Sequence, residues 1–454
     1  RSTGNTYDLG ANRTINMTGA VTIQSDAGTM TVSGAVSKGG NLLTVTGAGN
    51  TTFSGGISTA GGITKTGLGT LTIGGTNTYT GATTINGGAV LVNGSTVSDS
   101  AFTVTNVNDN TTATLGGTGT INGAVTISAT SATARVNRIT GADIGGYGTL
   151  TLGGGLTFGS GAVGYFDIQD ISIRDFLSVT GNLTAASGTV IGVSTGLAPN
   201  TYPLIGYTGT ASALPNYSLL TLGGAVAPAG YYLTLESGAL NLVVAAEKIW
   251  SGGAPSTDDN WTTANNWGSP ITGGEIVHFY GPNRVTPNND FAAGTLFAGI
   301  AFDSGAAGFT LAGNSIEMSG DLTNNSSTDQ IVNLDMSLSR AVGTNVSSVS
   351  NDLTLGGILS NGTSTGSLIK SGAGSVTLTA ANSYTAGNTV NAGTLAITGS
   401  GTLGATSGPL TVDGGTAIVH LGTTSQTVGA VALKNSGQIN NGTLTGSSYA
   451  VESG

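Results

Sequence analysis

Residues 63–92, ITKTGLGTLTIGGTNTYTGATTINGGAVLV, contain a pattern that occurs a second time in this 454-residue chain. Residues 368–397 read LIKSGAGSVTLTAANSYTAGNTVNAGTLAI, and the two stretches align without a gap, with about a third of their positions identical. A segment repeated with this fidelity predicts one structural unit used twice. The identical positions that we expect to have the same role in both copies are Lys65 and Lys370, Gly67 and Gly372, Gly69 and Gly374, and Tyr79 and Tyr384.

Each copy alternates Val, Ile or Leu with Thr in runs of three to five residues that end at Gly or Asn. Period-two alternation predicts short half-buried strands, and the Gly and Asn residues favour tight turns between them. Three such strands over roughly 20–30 residues fit one or two coils of a solenoid. We therefore predict an all-β chain folded as a right-handed parallel β-helix. An array of β-sandwiches is the alternative, but it would need longer strands and a larger aromatic fraction than the observed 6%.

The prolines and tryptophans predict an irregular junction near the middle of the chain. Eight of the nine prolines lie between Pro199 and Pro287, and proline is poorly tolerated inside a strand ladder. We therefore predict a solenoid over 1–188, an irregular junction over 189–290, and a second solenoid over 291–454. The junction also contains all three tryptophans, which we expect to fill its core: Trp250, Trp261 and Trp267.

The composition excludes several classes of protein. With 12 Lys and Arg against 22 Asp and Glu, the chain lacks the basic surface that binding to nucleic acid requires. No apolar run reaches the roughly 18 residues of a transmembrane helix. The absence of cysteine excludes disulfides and thiolate metal sites. Together with the abundance of Gly, Thr and Asn, it favours a protein exported to the outside of a bacterial cell, and the polar start at Arg1 suggests a processed form.

The repeated pattern K-x-G-x-G, followed by N-x-Y-T and N-x-G, resembles the autotransporter-associated β-strand repeat of bacterial surface proteins. The segments 115–127 and 402–449 resemble further passenger coils, and 250–267 resembles the start of such a unit. The resemblance implies a passenger-type β-solenoid outside the cell, and coils of this kind form adhesins, enzymes and plain stalks. The residues after the last coil show no strands of a membrane barrel, so autotransport itself is not implied.

No group of side chains predicts a catalytic, cofactor or metal site. His278 and His420 are far apart in sequence and match no metal-binding spacing. Asp167, Asp170 and Asp175, with Arg174 beside them, are the best candidates for a polysaccharide-degrading site, but we favour a structural role for them at strand ends. The pair Asp258 and Asp259 is more typical of a turn than of a calcium site. The three tryptophans could also stack on a carbohydrate, but we favour a structural role.

Three functions remain open, and we predict the first: a structural rod or filament subunit, an adhesin that binds glycans or cells, or a polysaccharide-degrading enzyme. The predicted partner is a second copy of the chain joined head to tail, because both ends are strand-like and uncapped. The residues expected to form this contact are Tyr7, Leu9, Ile15, Leu444 and Val451.

Overall fold

The computed structural model describes residues 2–3, 6–106, 112–130, 136–225, 227–228, 230–236, 238–253, 258–340 and 343–452. The chain forms two compact units. The first comprises Arg1–Pro228 and Leu233–Val243, and the second comprises Ala229–Tyr232 and Val244–Gly454. Over the described residues the regular structure is β-strand apart from two single-turn 3₁₀ helices, Leu214–Asn216 and Ala264–Asn266. None of these described helices is long and apolar enough to cross a membrane.

The strands up to residue 244 follow one another at short intervals. In chain order they are β1 (Ser2–Thr3), β2 (Tyr7–Asp8), β3 (Ile15–Asn16), β4 (Val21–Ala27), β5 (Thr29–Val32), β6 (Val36–Ser37), β7 (Leu43–Thr46), β8 (Asn50–Phe53), β9 (Ile57–Ser58), β10 (Ile63–Lys65), β11 (Thr70–Ile73), β12 (Thr83–Ile85), β13 (Gly88–Val92), β14 (Phe102–Val104), β15 (Thr112–Gly116), β16 (Thr120–Ile121), β17 (Val125–Ile127), β18 (Val136–Ile139), β19 (Thr149–Leu152), β20 (Leu156–Phe158), β21 (Val163–Phe166), β22 (Phe176–Val179), β23 (Leu183–Ala185), β24 (Thr189–Val193), β25 (Asn200–Tyr207), β26 (Tyr217–Thr221), β27 (Tyr231–Glu236) and β28 (Ala239–Val244).

The remaining strands lie in the second unit. They are β29 (Glu247–Trp250), β30 (Ile276–Gly281), β31 (Asn288–Asn289), β32 (Thr295–Phe297), β33 (Gly299–Ala306), β34 (Thr310–Gly313), β35 (Ile316–Met318), β36 (Leu322–Asn324), β37 (Gln330–Val332), β38 (Met336–Leu338), β39 (Thr344–Ser348), β40 (Leu353–Leu355), β41 (Leu359–Asn361), β42 (Leu368–Ser371), β43 (Ser375–Leu378), β44 (Asn388–Val390), β45 (Gly393–Ile397), β46 (Leu410–Asp413), β47 (Ala417–His420), β48 (Ser425–Lys434), β49 (Gln438–Asn440) and β50 (Thr443–Glu452).

Strand pairing joins every second or third strand of the chain, which is the topology of a solenoid. In the first unit, sheet A has the order β1-β4-β7-β10-β12-β14-β17-β20-β23, sheet B has the order β2-β5-β8-β11-β13-β15-β18-β21-β24-β26, and sheet C has the order β16-β19-β22-β25-β28-β27. A short sheet, β3-β6-β9, covers the first coils. In the second unit, sheet D has the order β29-β30-β33-β36-β39-β42-β44-β46-β48-β50, sheet E has the order β31-β34-β37-β40-β43-β45-β47-β49, and sheet F has the order β32-β35-β38-β41.

All neighbouring strands in the longest sheet of each unit, B and D, pair in parallel. The predicted all-β parallel solenoid is therefore confirmed, and the sandwich alternative, which needs antiparallel sheets, is wrong. Parallel pairing of sheet B continues through β24 and β26, inside the segment predicted to be irregular. The division into compact units lies near residues 228–244, and the domain boundaries at 188 and 290 stay a prediction.

The register stacks like residues into columns. In sheet A, inward-facing Leu43, Ile63, Phe102 and Leu156 lie in one buried column of the core. The outward face of the same strands has a threonine on every coil, so their hydroxyls form a continuous uncharged ladder. Its members are Thr22, Thr44, Thr64, Thr84, Thr103, Thr126, Thr157 and Thr184.

Two leucines of the first repeat provide a matched test of this core. Leu71 is fully buried, whereas Leu68, three residues earlier in the turn, is 66% exposed. We expect Leu71→Ala to lower the free energy of unfolding by about 2–5 kcal/mol, because it removes buried methyl groups and leaves a cavity. Leu68→Ala should change it by less than about 0.5 kcal/mol. Chemical denaturation of both variants checks this, and equal effects would contradict the packing described.

Candidate functional site

Each repeat supplies two successive rungs of the solenoid. In the first copy, β10 pairs with β12 and β11 pairs with β13, so the first half of the repeat lies directly against the second half. In the second copy, β42 pairs with β44 and β43 with β45 in the same way. The 30-residue repeat is therefore a stacked pair of corners, and its shared lysine and its first two shared glycines lie at the corner between two sheets.

Lys65 faces inward at this corner, between Val45 and Ile85 of the neighbouring strands, and its side chain is fully buried. Its ammonium donates hydrogen bonds to the carbonyl oxygens of Thr66 at 2.8 Å and Gly67 at 2.9 Å. A third bond of 3.3 Å reaches the carbonyl of Gly87 on the next rung. The three donors of the lysine thus satisfy turn carbonyls of two rungs, which ties the rungs together.

Lys370 repeats this arrangement in the second unit. Its ammonium donates to the carbonyls of Ser371 and Gly372, both at 2.7 Å, and to that of Ala392 on the next rung at 2.9 Å. Burial lowers the pKa of Lys65 and of Lys370 to about 8, from an ordinary value of 10.5. Both copies therefore hold an ammonium in the core on three backbone carbonyls.

Glycines shape the carbonyl cage around each lysine. Gly67 and Gly372 have φ angles of +71° and +74°, a conformation that a side chain would strain. At Gly69 the reason is space, since a Cβ would lie 1.9 Å from the carbonyl oxygen of Gly49 in the preceding rung. Gly374 meets the same restriction, with the carbonyl oxygen of Asn351 at 2.5 Å from a Cβ.

The repeated tyrosines are buried at the corner that follows. Tyr79 and Tyr384 are both fully buried, and the hydroxyl of Tyr79 lies 2.7 Å from Oγ1 of Thr83. In the second copy the hydroxyl of Tyr384 donates to Oδ1 of Asn388 at 2.5 Å. Burial raises the pKa of both tyrosines, so these rings pack as neutral phenols.

Two further side chains contribute to this corner. Lys38, which was not singled out from the sequence, lies two coils before Tyr79, and its ammonium is 4.1 Å from the centre of the Tyr79 ring. Asn77 accepts a hydrogen bond from the backbone of Ile57 and donates to the carbonyl of Ser95, so it joins three rungs. Asn77 has a counterpart, Asn382, at the same place in the second copy, and that repetition was a usable signal; Lys38 offered none.

The tryptophans form the beginning of the core of the second unit. Trp250 and Trp261 are fully buried, Trp267 nearly so, and the rings of Trp250 and Trp267 meet edge to face at 5.1 Å. The indole nitrogen of Trp267 donates to the carbonyl of Trp261 at 2.7 Å. These rings have no exposed face that could stack on a sugar, which leaves the structural interpretation.

In the acidic group near residue 170, Asp167 and Asp175 are neighbours, since the backbone N–H of Asp167 donates to the carboxylate of Asp175 at 3.1 Å, but each carboxylate also has a structural contact of its own. Asp175 is fully buried, burial raises its pKa to about 6, and it accepts a hydrogen bond from the hydroxyl of Thr140 at 2.6 Å. Asp170 caps a turn by accepting from the backbone of Ser172, and Asp167 accepts from that of Gly145. The remaining member, Arg174, donates to the carbonyls of Pro203 and Ile171.

The other titratable candidates also lie apart. Nδ1 of His278 is 3.0 Å from a carboxylate oxygen of Asp303, whereas His420 contacts Asn441. Asp258 accepts from Asn260 and Thr263 within a turn, and Asp259 pairs with Arg284. Among the residues that the structure describes, no group of three or more His, Asp or Glu side chains could hold a metal ion.

The residues predicted to form a head-to-tail contact lie on outermost strands of their sheets or next to them. Tyr7 on β2 and Leu9 beside it are 47% and 39% exposed, and Ile15 on β3 is half-buried. Val451 on β50 is 79% exposed, and Leu444 on the same strand is half-buried. The structure contains one copy of the chain, so self-association stays a prediction.

The buried lysines Lys65 and Lys370 predict that the free energy of unfolding depends on pH in the alkaline range. Since the unfolded chain binds a lysine proton up to pH 10.5 and the folded chain only up to about 8, the free energy of unfolding should rise with pH between these values and stay level below about 8. We expect Lys65→Met to reduce this rise. Lys248→Met, which changes a lysine whose ammonium donates to the hydroxyl of Ser269 near the surface, should leave it unchanged.

Denaturant midpoints measured from pH 7 to 9.5 test this prediction. The range stops there because ionisation of tyrosine in the unfolded chain, near pH 10, opposes the lysine effect. The same slope in Lys65→Met and in the unsubstituted chain would contradict it.

Comparison with known protein families agrees with the geometry. The model of the passenger-associated-transport-repeat family matches residues 63–92 and 368–397, the two stretches whose lysines, glycines and tyrosines form the corners described above. None of the curated proteins compared with the chain matches it. The repeat implies a passenger domain with a β-helix and suggests a secreted or surface-exposed protein. The chain is a parallel β-solenoid that contains two stretches matching the passenger-associated-transport-repeat.

Proposed function

We propose that this chain is a structural stalk of an exported passenger domain. The observation that supports this best is the continuous parallel pairing of the long sheets, B in the first unit and D in the second. In a solenoid each coil contacts only its neighbours, so such stacking resists load coil by coil along its axis. The caged lysines add a bond between rungs in both units.

The surface of the sheets supports the same role. Charged residues make up 7% of the chain, and the ladder on sheet A consists of threonine on successive coils. A charge repeated on every coil would be repelled by its own copies about 5 Å away. An uncharged, cysteine-free surface of this kind suits a long extracellular support better than an active site built from titratable side chains.

Single-molecule force spectroscopy of the full chain, held at its two ends, tests the stalk role. We expect a series of unfolding steps, each releasing a coil of about 20–30 residues, which corresponds to about 70–100 Å of extended chain. Lys65→Met should lower the force of the steps assigned to the coils around residue 65 and leave the others unchanged. Extension at low force without steps would contradict a load-bearing role.

We also propose that the stalk associates end to end. Within the described part of the chain, β50 pairs on one side with β48 and has no partner strand on the other, so its outer edge can accept a further strand. Tyr449 and Val451 are 60% and 79% exposed along this strand.

Sedimentation velocity of the full chain over a range of concentrations tests this association. We expect species larger than the monomer whose fraction rises with concentration, and we expect Val451→Lys to shift them to monomer by placing a charge on the edge. Val349→Lys is the control, because Val349 is 53% exposed but lies outside β50. A monomer at every concentration, or an equal effect of the control, would contradict end-to-end assembly.

A further inference from the structure

A groove of about 540 Å³ lies on the outer face of sheet B in the first unit. Its floor is formed by outward side chains of β11, β13, β15 and β18, which are small, aliphatic or hydroxylated, such as Thr70, Leu91 and Thr112. Leu68, in the turn before β11, borders the groove, as does Ile144, in the loop between β18 and β19. The volume lies within the range of sites that bind small organic ligands.

The loop that contains Ile144 is fixed to the solenoid. The backbone of Gly145 donates a hydrogen bond of 2.8 Å to a carboxylate oxygen of Asp167, at the end of β21, and that of Gly146 donates to the carbonyl of Asp143. The first bond ties the loop to the solenoid and the second closes a turn within the loop, so both restrict the position of Ile144 before a ligand binds, which reduces the entropy lost on binding.

Arg138 is the cation that lines the groove. Its Nε donates to the hydroxyl of Thr114 at 2.9 Å, and its guanidinium carbon lies 5.1 Å from the centre of the Tyr165 ring. These contacts hold the planar group but use only one of its five N–H donors. Within the described part of the chain, the two terminal amino groups of Arg138 have no hydrogen-bond acceptor and form no salt bridge.

The charges of the groove define the chemistry of its ligand. Arg138 and Asp143 both line it, so donors and acceptors are present with no net charge. The chain as a whole has a net charge of −10, which disfavours a polyanion. Leu68 and Ile144 are 66% and 42% exposed and offer apolar contact beside these polar groups. A ligand with many hydroxyl groups, apolar C–H faces and no charge matches this surface.

We propose that the groove binds a neutral oligosaccharide, with Arg138 donating to its hydroxyl or ring oxygens, Asp143 accepting from its hydroxyls, and Leu68 and Ile144 packing on its C–H faces. An extended peptide fits less well, because the floor is the face of a sheet whose interior strands are paired on both sides, so the peptide backbone has no edge to join. This binding role goes beyond the proposed stalk and does not depend on it.

The test measures binding of defined hexasaccharides to the full chain by isothermal titration calorimetry. The neutral probes are maltohexaose, cellohexaose, mannohexaose and chitohexaose, and the acidic probe is hexagalacturonate. We expect saturable binding of at least one neutral hexasaccharide. Arg138→Met and Leu68→Asp should each weaken that binding about tenfold or more, because the first removes charged donors and the second places a charge on an apolar contact.

Matched substitutions outside the groove provide the controls. Arg13→Met removes an exposed arginine of the same unit, and Leu42→Asp changes a leucine that is 45% exposed just before β7. Both should leave binding within about twofold of the unsubstituted chain. Thermal melting of each variant establishes that it is folded; Leu68→Asp, at an exposed turn, keeps the test decisive if Arg138→Met is unstable.

Three results would overturn the proposal: no neutral hexasaccharide binds, hexagalacturonate alone binds, or the groove variants and their controls lose affinity equally. None of these results bears on the force or sedimentation measurements, so the groove and the stalk succeed or fail separately.

Discussion

The register of parallel pairing is the constraint on which the rest of this structure depends. Each residue of a coil lies against its counterpart in the next coil, as Thr64 lies between Thr44 and Thr84. A residue type can therefore recur on successive coils if its side chain packs favourably about 5 Å from an identical side chain. A residue type whose copies repel each other is absent from such columns. Aliphatic residues recur inside, threonine recurs outside, and charged residues fall to 7% of the chain.

The buried lysines show how the solenoid accommodates an exception to this rule. Lys65 occupies a place in an apolar column between Val45 and Ile85, where a cation without partners would be costly. The turn that follows presents carbonyl oxygens to its ammonium, and glycines allow the backbone to come close enough. Because these acceptors are backbone atoms of two rungs, the hydrogen bonds that offset the desolvation cost of the ammonium also link neighbouring coils along the axis. The arrangement occurs once in each of the two distant repeats, and the ammonium of the fully buried Lys38 likewise donates to the carbonyls of Gly61 and Gly62, so the buried lysines are separate links between coils and not a stacked column of charge.

The sequence predicted the parts of the structure that repeat, but it did not predict contacts that occur at single places in the chain. Alternation and glycine spacing predicted the strands and corners of both repeats, because each strand packs on a neighbour with the same pattern. The partners of Lys65 could not be predicted, since backbone carbonyls leave no mark on residue identity. The tryptophans could have been a binding platform or a core, and only their burial separated the two. Arg138 gave one weak signal, a cation inside a strand of a chain with few charges, but its setting depends on residues as distant as Leu68 and Ile144.

The number of residues between paired positions along the sequence explains why a binding site could arise at this place. Thr64 and Thr84 pair across 20 residues, whereas Thr126 and Thr157 pair across 31, so the coil between the latter two contains extra chain. That extra length includes the loop with Asp143 and Ile144, which borders the groove. An insertion into one coil leaves the register of its neighbours intact, because sheets A and B continue on both sides of it. A solenoid can therefore keep its core repetitive and acquire specificity in a single lengthened turn, which makes the longest coils of this chain the first places to look for ligand contacts.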